Sequence, residues 1–234
     1  MARAYVGTSG FSYDEWRPSF YPEDVKKEGM LSFFASKLTS VEINATFYRM
    51  PNAKTVDGWK DAVPDGFKFA VKASQKITHQ ERLRVPSESL SYMTSIVKRL
   101  EGKLGVVLFQ LPPNFKADLE RLERFLTEVP KDVPSAFEFR NDSWFTEDTY
   151  GLLRKNGIGL CINDSDESRT AEVVTSRLVY LRLRKSAYTP EDLEAWRGKV
   201  RGWVGEGLDV FSYIKHEENP DAPRIAMEFQ QGIV

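Results

Sequence analysis

The chain has 234 residues, 41% hydrophobic and 29% charged, the composition of a globular protein with a sizeable core. Its 33 Lys and Arg against 34 Asp and Glu exclude a globally basic nucleic-acid surface and leave room only for a local basic patch. A lone cysteine, Cys161, excludes an intrachain disulfide and makes a reducing compartment the default.

Strand-like and helix-like stretches alternate along the whole chain. Residues 3–9 (RAYVGTS) read as a first strand, followed by a long aromatic connection over 10–28 that holds Phe11, Tyr13, Trp16, Phe20 and Tyr21. A short helix is expected over 29–38, a second strand over 40–44 (SVEIN), a connection through Phe47 and Tyr48, and a helix near 53–62. The third strand is 67–72 (FKFAVK); a polar loop with Thr78 and His79 leads from it to a helix over 87–100. The fourth strand, 105–111 (GVVLFQL), is closed by Pro112-Pro113, and an amphipathic helix follows over 118–129. The fifth strand is 135–140; Thr146 caps a helix running to 155, with Gly157 beyond it. The sixth strand is 159–164 (GLCIND), trailed by a weak, short helical connection, and the seventh is 178–184 (LVYLRLR). Thr189-Pro190-Glu191-Asp192 opens a helix as a capping box with Pro at its first position. The eighth strand is 208–215, and the last helix 222–230.

Eight strands alternating with helices in about 230 residues is the pattern of a small α/β protein of the (β/α)8 TIM-like barrel type, here as a single domain over 1–234. A doubly wound open sheet is the runner-up, weakened by the absence of Gly-x-Gly-x-x-Gly after the first strand. In a barrel, outward strand residues are covered by helices and are apolar. Inward residues near the C-terminal strand ends form the site. Val41 and Ile43 alternate with Glu42 and Asn44, Phe69 and Val71 with Lys68, Ala70 and Lys72, Phe137 and Phe139 with Glu138 and Arg140, and Leu181 and Leu183 with Tyr180, Arg182 and Arg184. Gln110, beside Phe109, points a polar amide the same way.

Several motifs now combine. Gly7-Thr8-Ser9-Gly10-Phe11-Ser12-Tyr13 with Trp16 and Phe20-Tyr21-Pro22, Val41 to Tyr48, Phe69-Ala70-Val71-Lys72, Ile77-Thr78-His79, Leu108 to Pro113 and Glu138-Phe139-Arg140 with Ser143-Trp144 resemble domain-of-unknown-function family 72, also called YecE-like. The resemblance covers nearly the whole chain. It implies a (β/α)8-type barrel and brings no established activity. The chain departs from the family pattern twice: Arg182-Leu183-Arg184-Lys185 stands where many members carry Arg-x-His-Gly, and Lys215-His216-Glu217-Glu218 where many carry an Asn-Asn-Thr-like turn. No role of the missing histidine transfers, and the mouth is more basic.

The expected mouth therefore holds Lys72, Arg140, Arg182, Arg184 and Lys215 against Glu42, Glu138 and Asp164. Clustered arginines on fixed strands suit phosphate or carboxylate; an internal ion-pair network is the bland alternative, evenly weighted for Glu138 with Arg140. Glu42, Glu138 and His79 are the expected catalytic groups, with His216 equally well placed. Phe11, Asn44, Tyr48, Lys72, Gln110, Arg140, Trp144, Arg182 and Arg184 are the expected ligand-binding set, with Trp16 assigned to packing and Cys161 to the core. No ligand spacing marks a metal site, and no organic cofactor is implied. The function expected is hydrolase or isomerase chemistry on a small anionic, phosphorylated or carboxylated molecule. A nucleic-acid-binding or -processing protein and a non-catalytic ligand-binding barrel are the alternatives. No stretch approaches the roughly 20 apolar residues of a membrane span, and MARAYVGTSG does not read as a signal peptide, so no membrane partner and a cytoplasmic location are expected.

Overall fold

The computed structural model describes residues 2–215 and 220–233. Eight parallel strands run β1 (Ala4–Thr8), β2 (Ser40–Ile43), β3 (Lys68–Lys72), β4 (Leu104–Gln110), β5 (Ser135–Glu138), β6 (Gly159–Asp164), β7 (Leu178–Leu183) and β8 (Asp209–Ile214). They are hydrogen-bonded in the order β1-β8-β7-β6-β5-β4-β3-β2. The remaining seam, β1 to β2, is held by a bridge between Ser9 and Glu42 and by the Gly10 N–H donating to the Glu42 carbonyl at 2.8 Å. The result is a nearly closed (β/α)8 barrel. Gly7 sits at that seam because nothing larger fits: a Cβ there would lie 1.9 Å from the Ser40 carbonyl oxygen.

The helices are α1 (Met30–Ala35), α2 (Ala45–Tyr48), α3 (Ala53–Asp61), α4 (Glu88–Val97), α5 (Leu119–Glu128), α6 (Glu147–Asn156), α7 (Pro190–Gly205) and α8 (Ala222–Gln231). Their ends follow the expected chemistry. Thr146 accepts from the Thr149 N–H at the start of α6, and Gly157 ends it at φ 68°. Thr189 and Asp192 form the reciprocal capping box of α7, with Pro190 in its first turn. Two local readings are corrected. The segment around His79 is not an open polar loop: residues Lys76–Gln80 form a π-helical turn that buries Ile77 and Thr78. No helix follows β6; residues 165–177 form an irregular loop pinned by a bridge between Asp164 and Arg169.

The sheet separates two apolar cores. Outside it, Val41, Ile43, Phe69, Phe109, Phe137, Phe139, Leu181 and Leu183 meet the helices. Phe125 of α5, for example, sets its ring edge-on to Phe109 and Phe137, which stack on each other at 5.1 Å. Each such buried ring contributes roughly 1.5–3 kcal/mol. Inside, Tyr5, Phe211, Tyr180 and Tyr213 fill the lower barrel against small Ala70, Ala136 and Cys161. This aromatic plug fills the lower barrel, and Glu42, Glu138 and Arg182 lie above it, toward the C-terminal mouth.

Candidate functional site

Above the plug lies a layer of charge. Glu42 lies near the end of β2, Glu138 ends β5, and Arg182 lies near the end of β7, all on the inner face. Arg182 is 2% exposed and bridges the two carboxylates, with Nη2 on Glu42 Oε2 at 2.8 Å and Nη1 on Glu138 Oε2 at 2.7 Å. Glu42 also accepts from Tyr180 Oη (2.7 Å), Asn44 Nδ2 (2.9 Å) and Ser9 Oγ (3.0 Å). Gln110 pairs in register with Glu138 on the neighbouring strand, and its Nε2 donates to Glu138 Oε2 at 2.8 Å. Arg140 Nε reaches Glu138 Oε1 at 3.2 Å, while its side chain is 41% exposed. Burial alone would raise both glutamates. Arg182 outweighs it, with help from Tyr180 and Asn44 at Glu42 and from Arg140 and Gln110 at Glu138. Glu42 is held below its ordinary range, and Glu138 at about 2.

Two adjoining cavities open over this layer. One, of 360 Å3, is lined by Tyr13, Asn44, Tyr48, Lys72, Gln110 and the arginines 140, 182 and 184. The other, of 710 Å3, is walled by Glu138, Asn163, the loop from Ser165 to Ala171 and Lys215, and shares Arg140 and Arg184 with the first. Asn44 Oδ1 and Asn163 Oδ1, on the two sides, are buried acceptors with no hydrogen-bond partner among the described residues. Lys72 projects from the end of β3 over the face of Phe47, 4.3 Å from Nζ to the ring centre.

A sequence profile of the family described as "Protein of unknown function DUF72" matches residues 5–234. The chain belongs to this family. It is 33% identical over 165 residues to the UPF0759 protein YunF of Bacillus subtilis (strain 168), a match that takes in 65% of this chain and 57% of the length of that relative. It is also similar to the crystal structure of a DUF72 family protein from Thermotoga maritima, with a TM-score of 0.84 and 26% identity over 97% of this chain and 98% of the other. A D-psicose 3-epimerase from Clostridium cellulolyticum, solved with D-tagatose, shares the fold alone, with a TM-score of 0.64 at 11% identity and 98% coverage of each chain.

In this DUF72 barrel several residues expected at the mouth come together: Asn44, Lys72, Gln110, Arg140, Arg182 and Arg184, with Tyr48 of α2, line one cavity, and Glu42 and Glu138 lie beneath it. Their assignments change. Both glutamates have their oxygens engaged by cations and hydrogen-bond donors, so neither is poised to take a proton. Arg182 has two of its nitrogens spent on them, which makes it the keystone of the layer rather than a free anion clamp. His79 lies behind Phe47, its ring edge-on at 4.9 Å, and lines neither cavity. Burial, then Lys72 and Arg140, lower its pKa.

Three expected positions are corrected. Trp144 is fully buried, stacked on Phe139 at 4.8 Å with its Nε1 donating to the Phe115 carbonyl at 2.7 Å, so it packs the loop after β5 and forms no pocket wall. Phe11 packs toward Phe34 and is likewise absent from the cavity walls. Asp164 points outward, because Cys161 and Asn163 take the inner positions of β6; it accepts from Trp196 Nε1 of α7 at 3.0 Å. His216, Glu217 and Glu218 lie outside the described residues. Tyr13 and the 165–171 loop were missed as walls, and Ser9 and Tyr180 as partners of Glu42. The inward parity of Tyr180 was the one signal available for it. Among the described residues no three His, Cys, Asp or Glu side chains come together to hold a metal ion. No helix of the described residues is long and apolar enough to cross a membrane.

Burial, then the charge of Arg182, depresses Lys72 from 10.5 to about 8. Below pH 8 the folded protein carries the full cost of that ammonium. Between about 8 and 10.5 the unfolded chain binds the extra proton and stability rises with pH. Lys72→Met is therefore expected to stabilise the fold by about 2 kcal/mol at pH 7. Urea unfolding of both proteins should show that gain shrinking toward pH 10; a loss of stability at pH 7 would count against a costly ammonium.

Proposed function

We propose that the protein is an enzyme acting on a small anionic molecule, carboxylated or phosphorylated, held at the C-terminal mouth of the barrel. One observation carries this reading. Lys72 has no carboxylate within 4.0 Å among the described residues, yet it lies in a cavity it shares with Arg140 and Arg184. The charge of Glu42 and Glu138 is already balanced by Arg182 and Arg140, so an anion entering the cavity meets a positive surface. The outer nitrogens of Arg140 face that anion as a planar fork. Asn44 Oδ1 and Asn163 Oδ1 suit a hydroxyl on the same ligand. With both glutamates locked as anions, proton transfer in a hydrolase or isomerase reaction falls to Lys72, with His79 close behind it.

Calorimetric titration with inorganic phosphate tests the reading. Wild type should bind saturably, and Arg140→Ala should bind about 10- to 100-fold more weakly, the worth of one charge-assisted hydrogen bond. An equal response from both proteins would sink it. A second reading, a single-stranded nucleic acid, draws on Tyr48, which is 75% exposed at the rim of the cationic cavity and free to stack on a base. It predicts oligonucleotide affinity that falls steeply with salt and collapses in Tyr48→Ala.

A further inference from the structure

We infer that Lys72 is a covalent nucleophile: its Nζ forms an imine with the carbonyl carbon of an anionic aldehyde or ketone whose carboxylate or phosphate sits on Arg140 and Arg184. This names the substrate class of the mouth and rests on the anion-binding reading above.

Geometry singles out this lysine. Lys98 and Lys155, by contrast, are exposed and each sits against a carboxylate. Lys72 stands at the C-terminal end of a barrel strand, in a lined cavity, with an aromatic face beneath its Nζ and, among the described residues, no carboxylate within 4.0 Å. A half-buried ammonium with no carboxylate in direct contact costs the fold, and such a cost marks a working site. What this arrangement supplies is a lone pair: at about 8, the pKa of Lys72 leaves a useful fraction of free amine near neutral pH. An anion clamp alone has no use for a neutral amine. Arg140 and Arg184 line the same cavity, so an acid group held there presents the neighbouring carbonyl carbon to Nζ.

The step balances without any oxidant. The Nζ lone pair attacks the carbonyl carbon, the π pair of the C=O bond moves to oxygen, and a proton passes from nitrogen to that oxygen to give a carbinolamine. The nitrogen lone pair then expels the hydroxyl, which leaves as water with one proton from solvent. A protonated C=N bond to Lys72 remains, able to draw electrons from the adjacent carbon.

Pyridoxal 5′-phosphate, an anionic aldehyde, followed by borohydride reduction and peptide mass spectrometry, is the test on the intact chain. Lys72 should take up close to one label per chain at concentrations that leave exposed Lys54 and Lys116 unmodified. Neutral pyridoxal should label it at least about tenfold less, and inorganic phosphate should compete. Lys72→Arg, which keeps the charge but offers no nucleophilic amine, should abolish the label. If phosphate binds but Lys72 stays unlabelled, the nucleophile is wrong and the anion site stands. If Lys72 is labelled equally by pyridoxal and phosphate does not compete, the substrate class is wrong. Neither labelling nor phosphate binding would overturn both readings.

Discussion

Arg182→Met is expected to cost about 3–5 kcal/mol of stability at pH 7, because it strands two buried carboxylates with no cation between them. Among the described residues Arg182 alone ion-pairs with both, at 2.8 and 2.7 Å, and Glu42 is fully buried. The pH profile separates this mechanism from simple loss of packing. In the wild type both carboxylates ionise below their ordinary 4.5, so their contribution is complete above that pH and fades as pH falls toward about 2. In the variant burial at Glu42 is opposed only by the hydrogen bonds from Tyr180 and Asn44 and the charge of Arg184, without the larger effect of Arg182, so its pKa rises, and the folded state gains protons and recovers stability as pH falls from 7. The gap between the two proteins should narrow in acid. Denaturant unfolding at several pH values reads this directly, and a gap that stays constant with pH would reject the stranded-charge account. Arg182→Met combined with Glu42→Gln and Glu138→Gln removes all three charges and should restore much of the loss.

The same network shows where sequence reading reaches its limit. Barrel parity is a local rule: an apolar residue faces the helices and the next faces the interior, so Glu42, Lys72, Gln110, Glu138, Arg182 and Arg184 could be placed on the inner face from their neighbours alone. The element order and most helix caps were legible for similar reasons, as with Thr146, Gly157 and Thr189. Who pairs with whom is not local. Arg182 meets partners 140 and 44 residues away, and only the closed barrel brings them together. Without that distance information a keystone arginine and an anion-binding arginine look identical. Asp164 shows the rule working where it was not applied: with Cys161 inside, the residue three along must face out, toward Trp196. Loop aromatics obey no parity. Nothing in the order of residues distinguishes Tyr13, which lines the cavity, from Phe11, which does not.

Trp144 makes the last distinction measurable. As a pocket wall its removal would weaken ligand binding and leave the fold largely intact. As a buried anchor its removal should do the opposite. Its ring is fully buried, stacked on Phe139 with 13° between planes, edge-on to Phe115, and tied to the Phe115 carbonyl. Trp144→Ala deletes the ring and leaves that carbonyl without its donor, and is expected to cost about 3–5 kcal/mol. Trp144→Phe keeps most of the stacking and loses the N–H, at a cost of about 1–3 kcal/mol, so it provides a folded protein if the alanine variant unfolds. Phosphate affinity, measured well below the midpoint of unfolding, should stay within a factor of about two in Trp144→Phe, since no cavity wall changes. A large drop in affinity at near-normal stability would return Trp144 to the ligand site. The loop it anchors carries Arg140 at its base, so the packing of this ring and the aim of that guanidinium are set by the same short stretch after β5.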